Sequence, residues 1–257
     1  MGLTIHYNLR SMVRTIREAR GLVEQLRQRA LRLPLESVGQ MIERRDAEAD
    51  SENCPRDDPD RWLLQQSGSY VTEEAPEGEY IHRVSPQHVI AFSTQPGPGS
   101  EEANFGLCRL PATIVVPDRR VYGRSRRLRT GCAGWRWGSF CKTQYASNRD
   151  CGGVENFLRC HLSVVALLDA ASEMALQVTV DDEGDYWKGR NTEALARAVG
   201  EWNEMVAAFA GGLKDHVGNR LAGPILQFSD FEHLEAAGVT AGRAQPLLDA
   251  LRGTACG

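Results

Sequence analysis

Leu3–Ser11 reads LTIHYNLRS and Phe140–Asn148 reads FCKTQYASN, and the fold turns on whether these two runs play the same part. In the first, Leu3, Ile5 and Tyr7 alternate with Thr4, His6 and Asn8, the two-residue period of a half-buried strand. Shifted by one residue, the second aligns with it so that Tyr7 meets Tyr145 and His6 meets Gln144.

Outward from each run the pattern repeats. After the first, apolar residues from Met12 to Leu33 keep helical spacing beneath an Arg-rich outer face, Pro34 stops the helix, and Val38–Glu43 is strand-like. Around the second, Trp135–Ala146 reads as a strand, Val154–Met174 as a helix apolar almost all round, and Leu176–Val180 as a strand. Residues 3–43 and 140–181 are therefore expected to form two βαβ units of an α+β protein. This is a split βαβ, ferredoxin-like layout, with residues 3–8 and 140–146 adjacent at the centre of a mixed sheet.

Further antiparallel strands are expected at 70–72, 80–83, 88–94, 105–110, 112–116 and 126–129, with a short helix at 61–66. A C-terminal helix pair is expected at 191–213, entered through Asn191, and at 231–237. The boundaries imply one compact domain over 1–237 and a loosely held tail over 238–257.

The 257 residues are 42% apolar and 25% charged, the balance of a globular protein. No apolar run approaches bilayer length, and the start lacks the basic-then-apolar layout of a signal peptide, so the cytoplasm is the default expectation, with no membrane partner. Seven scattered cysteines do not make a disulfide scaffold. The net charge of −4 conceals blocks: residues 1–45 are basic, 46–104 acidic, 105–160 basic and 161–257 acidic. Such blocks can satisfy one another within a fold or between protomers of a homo-oligomer.

Two regions carry candidate chemistry. If the apolar sides of both first strands face the helices, then Thr4, His6, Asn8, Lys142 and Gln144 share the other sheet face. A His, a Lys and amides converging there could position a small molecule and move protons. The segment HVIAFSTQPGPGSEEANFGLC (His88–Cys108) adds His88 and a Gly/Pro-rich loop returning through Glu101, Glu102 and Asn104. The proposed acid/base set is His6, Lys142 and Glu102, with His88, Glu101, Asn104 and Gln144 as ligand contacts; the alternative for the polar face is ordinary solvation. No Gly-Lys-Ser/Thr follows the glycines, which excludes a P-loop, and no cofactor is implied.

Arg119, Arg120, Arg124, Arg126, Arg127 and Arg129 form a basic ribbon near Tyr122, Trp135 and Trp137. It suits nucleic acid, or pairing with the acidic segment 46–60. Cys132, Cys141, Cys151 and Cys160 are nine or ten residues apart, too far for the paired ligands of a structural zinc, so no metal is expected. His161, on a stripe with Phe157, Val164 and Leu168, reads as a core histidine bonded to a backbone carbonyl.

The runs AFSTQPGPGSEEANFGLC (Ala91–Cys108) and SFCKTQYASNRDCGGVENFLRCH (Ser139–His161) resemble segments of an uncharacterised family of bacterial proteins, and the likeness extends over most of the chain. It implies a bacterial, cytoplasmic protein and brings no activity. Three readings follow: a small-molecule-binding protein with acid/base capacity, a nucleic-acid-binding protein, or an assembly protein with complementary charged surfaces.

Overall fold

The computed structural model describes residues 3–75, 78–118, 123–132, 134–217, 222–247 and 249. The chain opens with β1 (Thr4–Ser11), whose burial alternates as the sequence requires: Ile5, Tyr7 and Leu9 are inside, His6, Asn8 and Arg10 outside. Helix α1 (Ile16–Ala30) starts four residues later than the apolar spacing suggests, because a capping box sets its origin. The Thr15 hydroxyl accepts from the Glu18 backbone N–H at 3.2 Å, and the Glu18 carboxylate accepts from the Thr15 N–H at 2.9 Å. Its buried residues Ala19, Val23, Leu26 and Ala30 form one stripe.

The second strand of this unit is interrupted. β2 (Ser37–Val38) and β3 (Ile42–Arg45) both pair with β6 (His88–Gln95), which pairs in turn with β7 (Ala103–Arg109). β10 (Trp135–Lys142) is followed by α3 (Gly153–Ser172) and β11 (Gln177–Asp182). Strand order across the main sheet is β11-β1-β10-β7-β6, closed by β2 and β3. Every described neighbouring pair is antiparallel, so the expected mixed sheet is instead an antiparallel one.

β10 and β11 flank β1 and run parallel to each other. The corresponding strands of the first unit, β1 and β3, are separated by three strands, β10, β7 and β6. The expected adjacency of the first strands is found in the β1–β10 pair. His6 pairs with Phe140 and Tyr7 with Ser139, and β10 ends at Lys142. Beyond it Gln144–Ser147 form a 3₁₀ turn, which takes Gln144 off the sheet.

The remaining elements are α2 (Arg61–Ser67), the hairpins β4–β5 (Ser69–Ala75, Gly78–Val84) and β8–β9 (Thr113–Pro117, Ser125–Arg129), the short α4 (Tyr186–Gly189), α5 (Thr192–Val217) and α6 (Phe231–Thr240). α3 covers the Tyr7 side of the sheet, where the Ser11 hydroxyl donates to the Ala175 carbonyl at 3.2 Å. α2 lies on the opposite side, against β6, β7 and β10. α6 packs on α5 so closely that a Cβ at Gly238 would stand 2.1 Å from the Glu204 carbonyl oxygen. α6 thus runs past 237, where the compact domain was expected to end; residues 248 and 250–257 of the expected tail lie outside the described residues.

Candidate functional site

Register fixes which side chains share the outer face of β11, β1 and β10, since directly paired residues point the same way. One row is Asp181–His6–Phe140, the next Thr179–Asn8–Gly138, and the next Gln177–Arg10–Arg136. Thr4 pairs with Lys142 on the other side of His6.

Helix α2 walls this face. Leu63, Leu64 and Ser67 are its buried stripe, and the Ser67 carbonyl accepts from the Cys108 thiol at 3.2 Å. That leaves Trp62, Gln65 and Gln66 toward the open side. Trp62 is 48% exposed and stands edge-on to Phe140, 6.4 Å between ring centroids; His6 lies 5.9 Å from the same ring. The three rings and Asn8, Gln65, Gln66 and Ser139 line an open cleft of about 350 Å³. The Ser139 hydroxyl, which by its pairing with Tyr7 lies on the other side of β10, donates to Gln66 Oε1, while Gln66 Nε2 is buried with no hydrogen-bond partner among the described residues.

Beneath the sheet Tyr7 stacks on Phe105, and its hydroxyl donates to the Asn104 carbonyl at 2.8 Å, as does Trp137 Nε1. Burial pushes the Tyr7 phenol well above its ordinary value, which keeps it a neutral donor.

The residues singled out from the sequence are distributed as follows. His6 and Lys142 are diagonal neighbours on adjacent strands, at a spacing of about 7–8 Å between backbones. The Lys142 ammonium, however, sits over the Tyr145 ring at 4.8 Å. Glu101, rather than Glu102, reaches β10: its carboxylate accepts from the Lys142 N–H at 3.2 Å and its own N–H donates to the Lys142 carbonyl at 3.0 Å. Glu102 is exposed.

The loop before it is pinned toward α3. Asn156 Nδ2 donates to the Pro98 carbonyl at 2.9 Å, and Gly99, at φ 77°, leaves no room for a side chain beside the Tyr145 carbonyl. Gln144 does not join the polar face. It is fully buried, accepting from the Leu3 N–H at 3.2 Å and donating to Asn203 at 3.0 Å. Asn104 is fully buried as well, with both side-chain polar atoms unpaired among the described residues. His88 stands in the row with Trp135 and Ser11, hence on the Tyr7 side of the sheet. It bonds Glu43 at 2.9 Å and packs edge-on to Trp135. Gln144 leaves the face because β10 stops before it, and His88 leaves it because it occupies the other phase of the pleat.

Of the basic ribbon, Arg119 and Arg120 lie outside the described residues. Arg124, Arg127 and Arg129 are exposed, and Arg126 pairs with Glu73, which also holds His82 at 3.0 Å. The acidic segment 46–60 is matched instead by Arg83, on Asp50, and by Arg44, on Asp60.

His161 is bonded to side chains rather than to a backbone carbonyl. Its Nδ1 faces the Thr143 hydroxyl at 2.9 Å and its Nε2 faces the Asp182 carboxylate at 3.3 Å, with the His161 and Asp182 side chains 0% and 1% exposed. Burial pushes the Cys108 thiol up to about 12 and Cys160 up to about 11, so both are poor nucleophiles near neutral pH. Among the described residues no three His, Cys, Asp or Glu side chains are grouped to hold a metal ion, and no helix is long and apolar enough to cross a membrane.

Fold and site together define an α+β protein with an antiparallel sheet, one face of which forms an aromatic-walled cleft with α2. No family model, curated protein or solved structure matches the chain. Sequence reasoning missed Trp62, Gln66 and Phe140. The available signal was Trp62 itself, an aromatic left off the apolar stripe of its own short helix.

Proposed function

We propose that this protein binds a small ligand bearing a planar ring in the cleft between α2 and the outer face of β1 and β10. The observation that carries the reading is the Trp62–Phe140–His6 cluster set beside the amide side chains of Asn8 and Gln65. Apolar rings supply stacking area, and a few placed polar groups orient what stacks, the usual division of labour in small-molecule sites. His6, facing Asp181 across the strand pair, is the group placed to exchange a proton with a bound ring.

We also propose that β10–α3–β11, with β1 between its strands, is half of an elaborated ferredoxin-like arrangement, and that the chain is bacterial and cytoplasmic, as its resemblance implies.

Ligand-observed NMR with a panel of heteroaromatic fragments tests the cleft. Trp62→Ala should weaken the fragments that bind by about tenfold or more, the loss expected for one stacking ring. Because Trp62 is half exposed, the melting temperature should change little. Fragments that bind the variant as well as the wild type would place the site elsewhere.

A further inference from the structure

We infer that the ligand is a nucleotide, its base in the aromatic cleft and its phosphate held by Arg10 and Arg136; this rests on the cleft reading above. β1 and β10 place Arg10 directly opposite Arg136, on the same face as His6, Asn8 and Phe140. Like charges in that position destabilise a sheet, and the third member of the row, Gln177, is neutral. Neither Arg10 nor Arg136 has a carboxylate within ion-pair distance among the described residues, so nothing there offsets their repulsion. Two arginines opposite each other on adjacent strands, neither of them paired with a carboxylate among the described residues, can close together on a phosphate.

Spacing links the pair to the cleft. Phe140 and Arg136 are four residues apart on one strand, about 13 Å, a span that a sugar and the reach of an arginine side chain fill together. The position between them is Gly138, exposed and without a side chain to block the passage. A Cβ there would stand 3.0 Å from Asn8 Oδ1, so glycine keeps that oxygen open to accept from a sugar hydroxyl. Charge sets the direction of binding. Asp181 lies beside His6 at the ring end and the arginines lie at the far end, so an anion is favoured at one end alone.

The test compares the four ribonucleosides with their 5′-monophosphates by isothermal titration calorimetry at low and high salt. At low salt at least one monophosphate should bind about tenfold to hundredfold tighter than its nucleoside, the scale of charge-assisted hydrogen bonds. The advantage should shrink as salt rises. Arg10→Gln with Arg136→Gln should abolish the difference and leave nucleoside affinity unchanged. Its melting temperature should hold or rise, because a like-charge pair is removed. Trp62→Ala should weaken nucleoside and nucleotide alike.

A trinucleotide that binds tighter than every monophosphate would identify single-stranded nucleic acid as the source; equal or weaker binding would identify the free nucleotide. Equal affinity for nucleoside and monophosphate overturns the phosphate site but leaves the cleft intact. Nucleotide binding indifferent to Trp62 overturns the placement of the base, and binding of neither class overturns the inference as a whole.

Discussion

Asp182→Ala is expected to destabilise the protein by about 3–5 kcal/mol, the loss typical when one member of a buried charged or hydrogen-bonded pair is removed. Asp182 ties three parts of the fold together. Its carboxylate faces His161 on α3 at 3.3 Å, and it accepts from the Gly184 N–H at 2.9 Å and the Trp187 N–H at 2.8 Å, organising the turn into α4. An ionised carboxylate only accepts, so the hydrogen between the two side chains sits on His161 Nε2, and Nδ1 is then free to accept from Thr143. The variant leaves those donors buried and unmet.

Burial alone would raise the Asp182 carboxyl, but the hydrogen bond from His161, with the two backbone donors, outweighs it and holds the group below the ordinary carboxylate value. The folded state therefore gains stability from Asp182 above the unfolded carboxylate's pKa of about 3.9, and that gain is lost as pH falls through the lower folded value. Urea melts from pH 7 down to pH 2 should show this acid-side slope in the wild type and its reduction in the variant. A variant within about 1 kcal/mol of wild type at pH 7 would mean the network is not structural.

Gly106→Val should cost about 3 kcal/mol or more, the upper end for overpacking, and lower the melting temperature by about 6–12 °C. Strand propensity predicts the opposite sign, because Val is a far better strand former than Gly. Contact decides it. Gly106 pairs with Ala91 in the centre of the sheet, where a Cβ would stand 2.5 Å from both the Ile90 carbonyl oxygen and Ala91 Cβ. Two of its three nearest atoms belong to backbone, so β6 would have to move. A denaturation midpoint equal to or above wild type would show that the strand pair relaxes freely.

Local pattern was enough for the elements. Alternation in LTIHYNLRS, the helical stripe of α1 and the nearly all-apolar α3 each follow from which side chains must leave water, a property of neighbours along the chain. The polar outer side of β1 was legible for the same reason: once Ile5, Tyr7 and Leu9 are buried, His6, Asn8 and Arg10 must face out.

Register, strand order and burial of polar groups were not legible locally. Nothing near Phe140 states that it pairs with His6, or near Arg136 that it pairs with Arg10; that follows from the antiparallel docking of segments about 130 residues apart. Nor does local pattern place β7 and β6 between β10 and β3. Gln144 looked like a sheet-face amide and became a core amide, because the 3₁₀ turn after Lys142 aims it at Leu3 and Asn203, the partners that let a polar group be buried. The cleft depends on the same long-range geometry. Trp62 becomes a wall only when the apolar stripe of α2 docks beside Cys108, so the sequence determined its exposure and the tertiary structure determined what it faces.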